Sequence, residues 1–308
     1  MSAKPPKSIP EQISLLKSRG MIIPDESFAV DCLTNIGYYR LSGYWYKFQD
    51  KTDVKERFTE NINFNEIAAT YRFDTKLRSL VFDALEKIEI SFSTRLGNHM
   101  SCAFGANWYK NEELFADKKH FDSNVNEIEK WIGANHDKQI VKAYYANHPE
   151  EKDLPFWIIG MVIPFGTLSK LYGNLKTDHQ KIIANQLGMT VQFLSSAMRF
   201  LTDIRNICAH YNRLWDAMLK IKSKNIHIPT RLGKFNYSFS KDGFFHVFYL
   251  ISLFLAVIAP QSKFCILIDA LVSRYEIRTN NKITYAKMGF PENWQNLPLF
   301  RIMLKNKD

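Results

Sequence analysis

Between Phe64 and Leu96 the sequence contains neither glycine nor proline. Within that stretch apolar residues recur three or four apart, at Ile67, Tyr71, Leu77, Leu80, Val81, Ala84, Leu85, Ile88, Phe92 and Leu96. This spacing predicts one long amphipathic helix whose apolar stripe needs other elements packed along it. The polar residues of its middle, among them Arg72, Asp74, Arg78, Glu86 and Glu89, include ordinary candidates for the solvated face.

The remaining pattern is helical too. A short helix is expected from Pro10 to Arg19, stopped by Gly20, and a second follows Asp25, with Phe28, Ala29, Cys32, Leu33 and Ile36 on one face until Gly37. Further helices are expected over 125–131, 136–147, 157–172, 179–187, 243–259 and 262–274. The 157–172 segment must break near Pro164 and Gly166. Thr190 can cap a helix running towards Trp215. Only 13 glycines and 11 prolines occur in 308 residues, and no strong run of alternating strands appears. The expected fold is all-α, with residues 1–60 as an N-terminal helical and aromatic elaboration packed on a helical domain over 61–308. The apolar run Phe244 to Ala259 is shorter than the roughly 20 residues a membrane span needs, so it is expected to be a buried helix.

A formal charge of +10 and 14% aromatic residues point to an anionic partner, most simply nucleic acid. The segment IGYYRLSGYWYKF, residues 36–48, places Arg40 and Lys47 among aromatics. It reads either as a base-stacking surface or as a packing loop seating the N-terminal arm, and the packing loop is the expectation. Four cysteines without a CxxC pair suit reduced thiols, and the N-terminus has no apolar leader, so a cytoplasmic location is expected.

The segment RNICAH, residues 205–210, sets an arginine, an amide and a histidine into an apolar helical pattern. At about 100° per residue, Leu201, Ile204, Cys208, Tyr211 and Trp215 form a core stripe. Asp203, Asn206, His210 and Arg213 face the other way, with Arg205 on the flank. Such a set suits RNA cleavage, because RNA carries its own nucleophile in the 2′-hydroxyl. His210 could move the proton, Arg205 could hold the phosphate, and Asn206, on the face of His210, could orient either. One histidine does not conveniently act as both base and acid, so a homodimer with a composite site is expected. No carboxylate or histidine cluster near the motif has metal-ligand spacing, so neither a metal nor another cofactor is expected. Arg40, Lys47 and Arg213 are candidate RNA contacts, although each is also an ordinary surface cation.

RNICAHYNRLW resembles the RNxxxH motif of the HEPN superfamily of ribonucleases. More of the chain resembles the Abi-like family of abortive-infection proteins, the AbiD and AbiF group. The resemblance rests on KPPKSIPEQISLLKSRGM, IGYYRLSGYWYKF, YRFDTKLRSLVFDALEKIEI, LPFWIIGMVIPFGTLSKLYGNL, RNICAHYNRLW and MGFPENW, which together extend from residue 4 to about 294. It implies an HEPN-like helical bundle, dimeric assembly and metal-independent RNA cleavage at paired motifs, with Arg205, Asn206 and His210 on the motif positions. It also implies a role in phage defence or a toxin–antitoxin pair, and for some members restraint by a small structured RNA. Two positions depart from the pattern: Met161 stands where members often carry a glutamate, and Asn212 where some HEPN proteins carry a tyrosine. The alternative is a non-catalytic HEPN-like protein that recognises a structured RNA, and a third reading makes the motif a purely structural interface network.

Overall fold

The computed structural model describes residues 5–216 and 243–305, so the beginning of the N-terminal arm at Lys4 lies outside the described residues. The fold is all-α, with one two-residue parallel pairing as its sheet. Helix α1 (Ile9–Ser18) opens where Glu11 accepts from the Ser8 backbone N–H at 2.7 Å, and it ends before Gly20, whose φ is +93°. Helix α2 (Glu26–Asn35) is capped by Asp25, which accepts from the Phe28 N–H at 3.0 Å.

The aromatic segment is not a loop. It forms helix α3 (Tyr38–Trp45) and a 3-10 turn over Tyr46–Phe48, with Leu41, Tyr44 and Trp45 buried. Four aromatics in eight residues hid this helix. Aromatics have weak helix propensity, and packing against the body overrides it. Strand β1 (Met21–Ile22) pairs in parallel with β2 (Ile62–Asn63), tying the N-terminal arm to the start of the long helix.

That helix, α4 (Phe64–Phe104), runs past Leu96 and through Gly97. A Cβ at Gly97 would lie 3.0 Å from a Phe156 ring carbon, so glycine permits this approach. Leu77, Val81, Leu85 and Ile88 are buried, and each such side chain contributes roughly 1.5–3 kcal/mol through the area it removes from water. After two 3-10 turns come α5 (Lys118–Ala134), α6 (Gln139–Asn147), α7 (Phe156–Ile159) and α8 (Phe165–Asn174). Pro164 separates α7 from α8, as its sequence position requires. Helices α9 (Thr177–Gln186), α10 (Val191–Ala209), α11 (Phe244–Ile258), α12 (Phe264–Arg278) and α13 (Pro298–Met303) complete the described chain.

Helix α4 is the common partner: α3, α7, α8, α9, α10, α11 and α12 all pack against it. Helix α11 is buried on every side from Phe244 to Leu255, which explains its unbroken apolar sequence. His246 and Ser252 are buried in it, and the Ser252 hydroxyl donates to the Phe248 carbonyl at 2.6 Å. Among the described residues no helix is long and apolar enough to cross a membrane. The polar middle of α4 is only partly solvated. Asp74 and Arg78 are buried and paired with each other, and where that pair points leads to the RNICAH segment.

Candidate active site at the end of the motif helix

Helix α10 starts where the Thr190 hydroxyl accepts from the Phe193 N–H at 3.2 Å. Leu194, Ala197, Met198, Leu201, Ile204 and Cys208 bury one stripe, while Asp203, Asn206 and His210 are exposed on the other side. The helix does not continue to Trp215. It ends at Ala209, with His210 as its cap. The Tyr211 N–H donates to the Cys208 carbonyl at 3.2 Å, and the Asn212 N–H reaches back to the Ile207 carbonyl at 3.0 Å. This pair of bonds is the Schellman helix ending, which requires a left-handed residue at the position Tyr211 occupies. Tyr211 adopts φ +58°. An aromatic residue there costs roughly 1–2 kcal/mol against its own Cβ.

Two members of the expected core stripe therefore leave the helix. Trp215 is buried all the same, but Tyr211 turns outward and is 67% exposed. The helical wheel assumed an unbroken helix, and the ending redirects everything beyond His210.

The reversed chain is held from below by α4. One Asp74 carboxylate oxygen accepts from the Leu214 N–H at 3.1 Å and the Trp215 N–H at 2.9 Å. The other accepts from the Tyr44 hydroxyl at 2.7 Å and from the Arg78 guanidinium. Arg78 also donates to the Asn212 carbonyl at 3.3 Å. Burial pushes the Asp74 carboxyl up, opposed by Tyr44, Arg78 and the two backbone N–H groups. A buried carboxylate with this many donors is a tether: it fixes the chain directly after His210.

Arg205 faces a different surface. Its half-buried side chain lines a groove of 770 Å³ between α4 and the α7 region, together with Glu89, Met161 and Trp157. The Arg205 Nε lies 3.9 Å from a Glu89 carboxylate oxygen, and this buried nitrogen has no hydrogen-bond partner among the described residues. The guanidinium is thus attracted by Glu89 without being bonded to it. Burial pushes Glu89 upward, and Arg205 and the Phe165 N–H draw it down less strongly. The groove exposes Phe82, Ile90, Trp157 and Met161, an unusual amount of apolar surface in one place.

The structure does not bring Arg205 and His210 to one face of the helix. Asn206 and His210, four residues apart, share the solvent side, where no described group bonds the His210 ring. The three outlying cations each have internal partners. Arg40 donates to the Tyr211 carbonyl at 3.3 Å. Lys47 lies 4.1 Å from the Trp215 ring centroid and 3.4 Å from Asp216, and burial pulls its ammonium down despite that carboxylate. Arg213 pairs with Asp216 at 2.6 Å and donates to the Gly43 carbonyl. They fasten α3 and the 3-10 turn that follows it to the segment after the motif.

Sequence reasoning did not find Glu89, Asp74 or Arg78 as partners of the motif, because a pattern along α4 does not say which side α10 covers. Chemically, the assembly offers an exposed imidazole with an amide beside it, and, one turn earlier on the flank, a guanidinium whose Nε has no partner among the described residues. Residues 31–216 match the family model described as Abi-like protein, a span from α2 through the Asp74 tether to Asp216. No curated protein matches the chain, and no solved structure does.

Proposed function

Because the chain belongs to the Abi-like protein family, we propose that it is an abortive-infection effector or toxin of the AbiD and AbiF group, acting as a metal-independent HEPN-type endoribonuclease. In the proposed reaction His210 takes the proton of an RNA 2′-hydroxyl, and the 2′-oxygen attacks the adjacent phosphorus. The bond from phosphorus to the 5′-oxygen breaks, and that oxygen leaves with a proton. The products are a 2′,3′-cyclic phosphate and a 5′-hydroxyl end. Arg205 donates to the non-bridging phosphate oxygens as charge builds on them, and Asn206 orients the imidazole or the phosphate.

The observation that carries this reading is the state of the two charged groups. Arg205 is placed by its groove while its buried Nε has no hydrogen-bond partner among the described residues, and His210 stands on the surface, open to solvent. Buried polar atoms are mostly bonded within a fold, so the Arg205 Nε is a donor left for an outside acceptor such as a phosphate oxygen. The two groups diverge within one chain, and one histidine serves poorly as both base and acid. A second copy seated on the exposed apolar groove beside Arg205 supplies the missing half, so a homodimer belongs to the proposal. RNA fits the charge of +10, and a small structured RNA is the restraining partner this reading allows.

The test is incubation of the wild-type protein and the His210→Ala variant with mixed cellular RNA in EDTA, with the new ends identified. The expected result is cleavage by wild type alone, leaving 2′,3′-cyclic phosphate or 3′-phosphate ends. One observation favours a second reading, RNA binding without cleavage. Met161, at the groove beside Arg205, offers no acid there and is 64% exposed. Under that reading neither protein cuts, and both bind RNA equally at low salt.

A further inference from the structure

Tyr211 has no part in the chemistry proposed for Arg205, Asn206 and His210, yet it is the most conformationally constrained residue beside them. Among the described residues three α-helices end with the same pair of backbone bonds. The left-handed position is Gly188 after α9 (φ +69°), Asn280 after α12 (φ +47°) and Tyr211 after α10 (φ +58°). Glycine and asparagine are the residues that adopt this conformation readily. An aromatic side chain there is backbone strain beside a candidate site, held because the surroundings over-determine it. The Arg40 guanidinium fixes the Tyr211 carbonyl at 3.3 Å, and the Asp74 tether fixes the two residues after Arg213.

Packing does not account for the ring. A tyrosine that served only to seat α3 would bury its side chain, and this one leaves two-thirds of its surface in solvent. The Arg40 guanidinium carbon lies 5.9 Å from the ring centroid. Tyr39, 87% exposed, precedes Arg40 on α3. An open aromatic face with an arginine at its side, next to a surface imidazole, has the chemistry of a nucleobase platform: the ring stacks on the base while the cation favours its phosphate.

We propose that Tyr211 stacks on a base of single-stranded RNA and so places the neighbouring phosphate at His210. The idea rests on the nuclease reading for the purpose of that placement, but the stacking itself does not need cleavage. A base within a duplex is already stacked on both sides, so the platform selects unpaired RNA.

The experiment uses the full chain in the His210→Ala background, so that no RNA is cut, and titrates single-stranded RNA containing 2-aminopurine. Parent, Tyr211→Phe and Tyr211→Gly are compared by affinity and by quenching of the fluorescent base. Glycine suits the left-handed position, so Tyr211→Gly keeps the fold, which its melting temperature verifies. The expected result is affinity loss on the order of tenfold with loss of quenching for Tyr211→Gly, and change within about twofold for Tyr211→Phe. Equal affinity and quenching in all three proteins overturns the proposal, as does a parent that neither binds nor quenches. The two ideas separate cleanly. Cleavage by wild type with no effect of Tyr211→Gly leaves the nuclease and removes the platform, whereas binding that depends on Tyr211 without any cleavage does the reverse.

Discussion

The ends of α9 and α10 use the same backbone hydrogen bonds and opposite means of securing them. After α9 the Gly188 N–H donates to Asn185 and the Met189 N–H to Ala184, both at 2.9 Å, and glycine takes the left-handed position at no steric cost. After α10 the same bonds form around Tyr211, which resists that position. The first end is written locally. The second is imposed from a distance, by a carboxylate on α4 that captures the backbone a few residues on. The difference teaches that the chain after His210 is held by tertiary structure, and that disrupting this end should cost far more than disrupting the other.

The largest effect is therefore expected at Asp74. Replacing it with alanine leaves the Leu214 and Trp215 N–H groups without their acceptor and the buried Arg78 guanidinium without its carboxylate partner. Breaking a buried pair in this way costs about 3–5 kcal/mol, to be read as a lowered urea midpoint with unchanged slope. A loss below about 1 kcal/mol, the value of an ordinary hydrogen bond, would mean that the ending stands without its tether. The next effect sharpens the comparison from the other side. Gly188→Ala should destabilise by roughly 1–2 kcal/mol, since alanine there meets the left-handed penalty. Tyr211→Gly should be neutral or stabilising by up to about 1 kcal/mol, because relief of strain competes with the entropy glycine loses on folding. Equal and opposite responses at the two positions would make the endings interchangeable; a destabilised Tyr211→Gly would show that the ring's contact with Arg40 outweighs its backbone strain.

The same contrast explains what was legible in the sequence. Features encoded within a few residues were readable: the Asp25 and Thr190 caps, the stop at Gly20, the break at Pro164, the apolar stripe of α4 and the outward face of Asn206 and His210. Features decided by which surfaces meet were not. Asp74 and Arg78 look like solvent-side residues until α10 and the chain after it are laid across them. Tyr211 falls on the core stripe only if the helix goes on, and no glycine or proline marks its end. Glu89 could not be matched with Arg205 because more than a hundred residues separate them in sequence. Helix α3 was hidden for the opposite reason, since its local aromatic density argues against the helix that packing enforces.

The smallest effect concerns the groove-facing side of α10, where an ion pair stands without a hydrogen bond. Burial raises Glu89 above its ordinary range, and the attraction of Arg205 at 3.9 Å only partly opposes this. A carboxyl whose folded value is raised stabilises the fold fully below its unfolded value, about 4.3, and that contribution is lost as the pH rises through the folded value. At neutral pH the charged carboxylate is thus a net cost that Glu89→Gln removes. The variant should melt slightly above wild type at pH 7, with the difference shrinking towards zero as the pH falls to about 4. A variant that melts lower at pH 7 would give the attraction of Arg205 the larger share. Arg205 would then be more firmly engaged than its unbonded Nε suggests, and less free to take a phosphate than His210 on the open side is to take a proton.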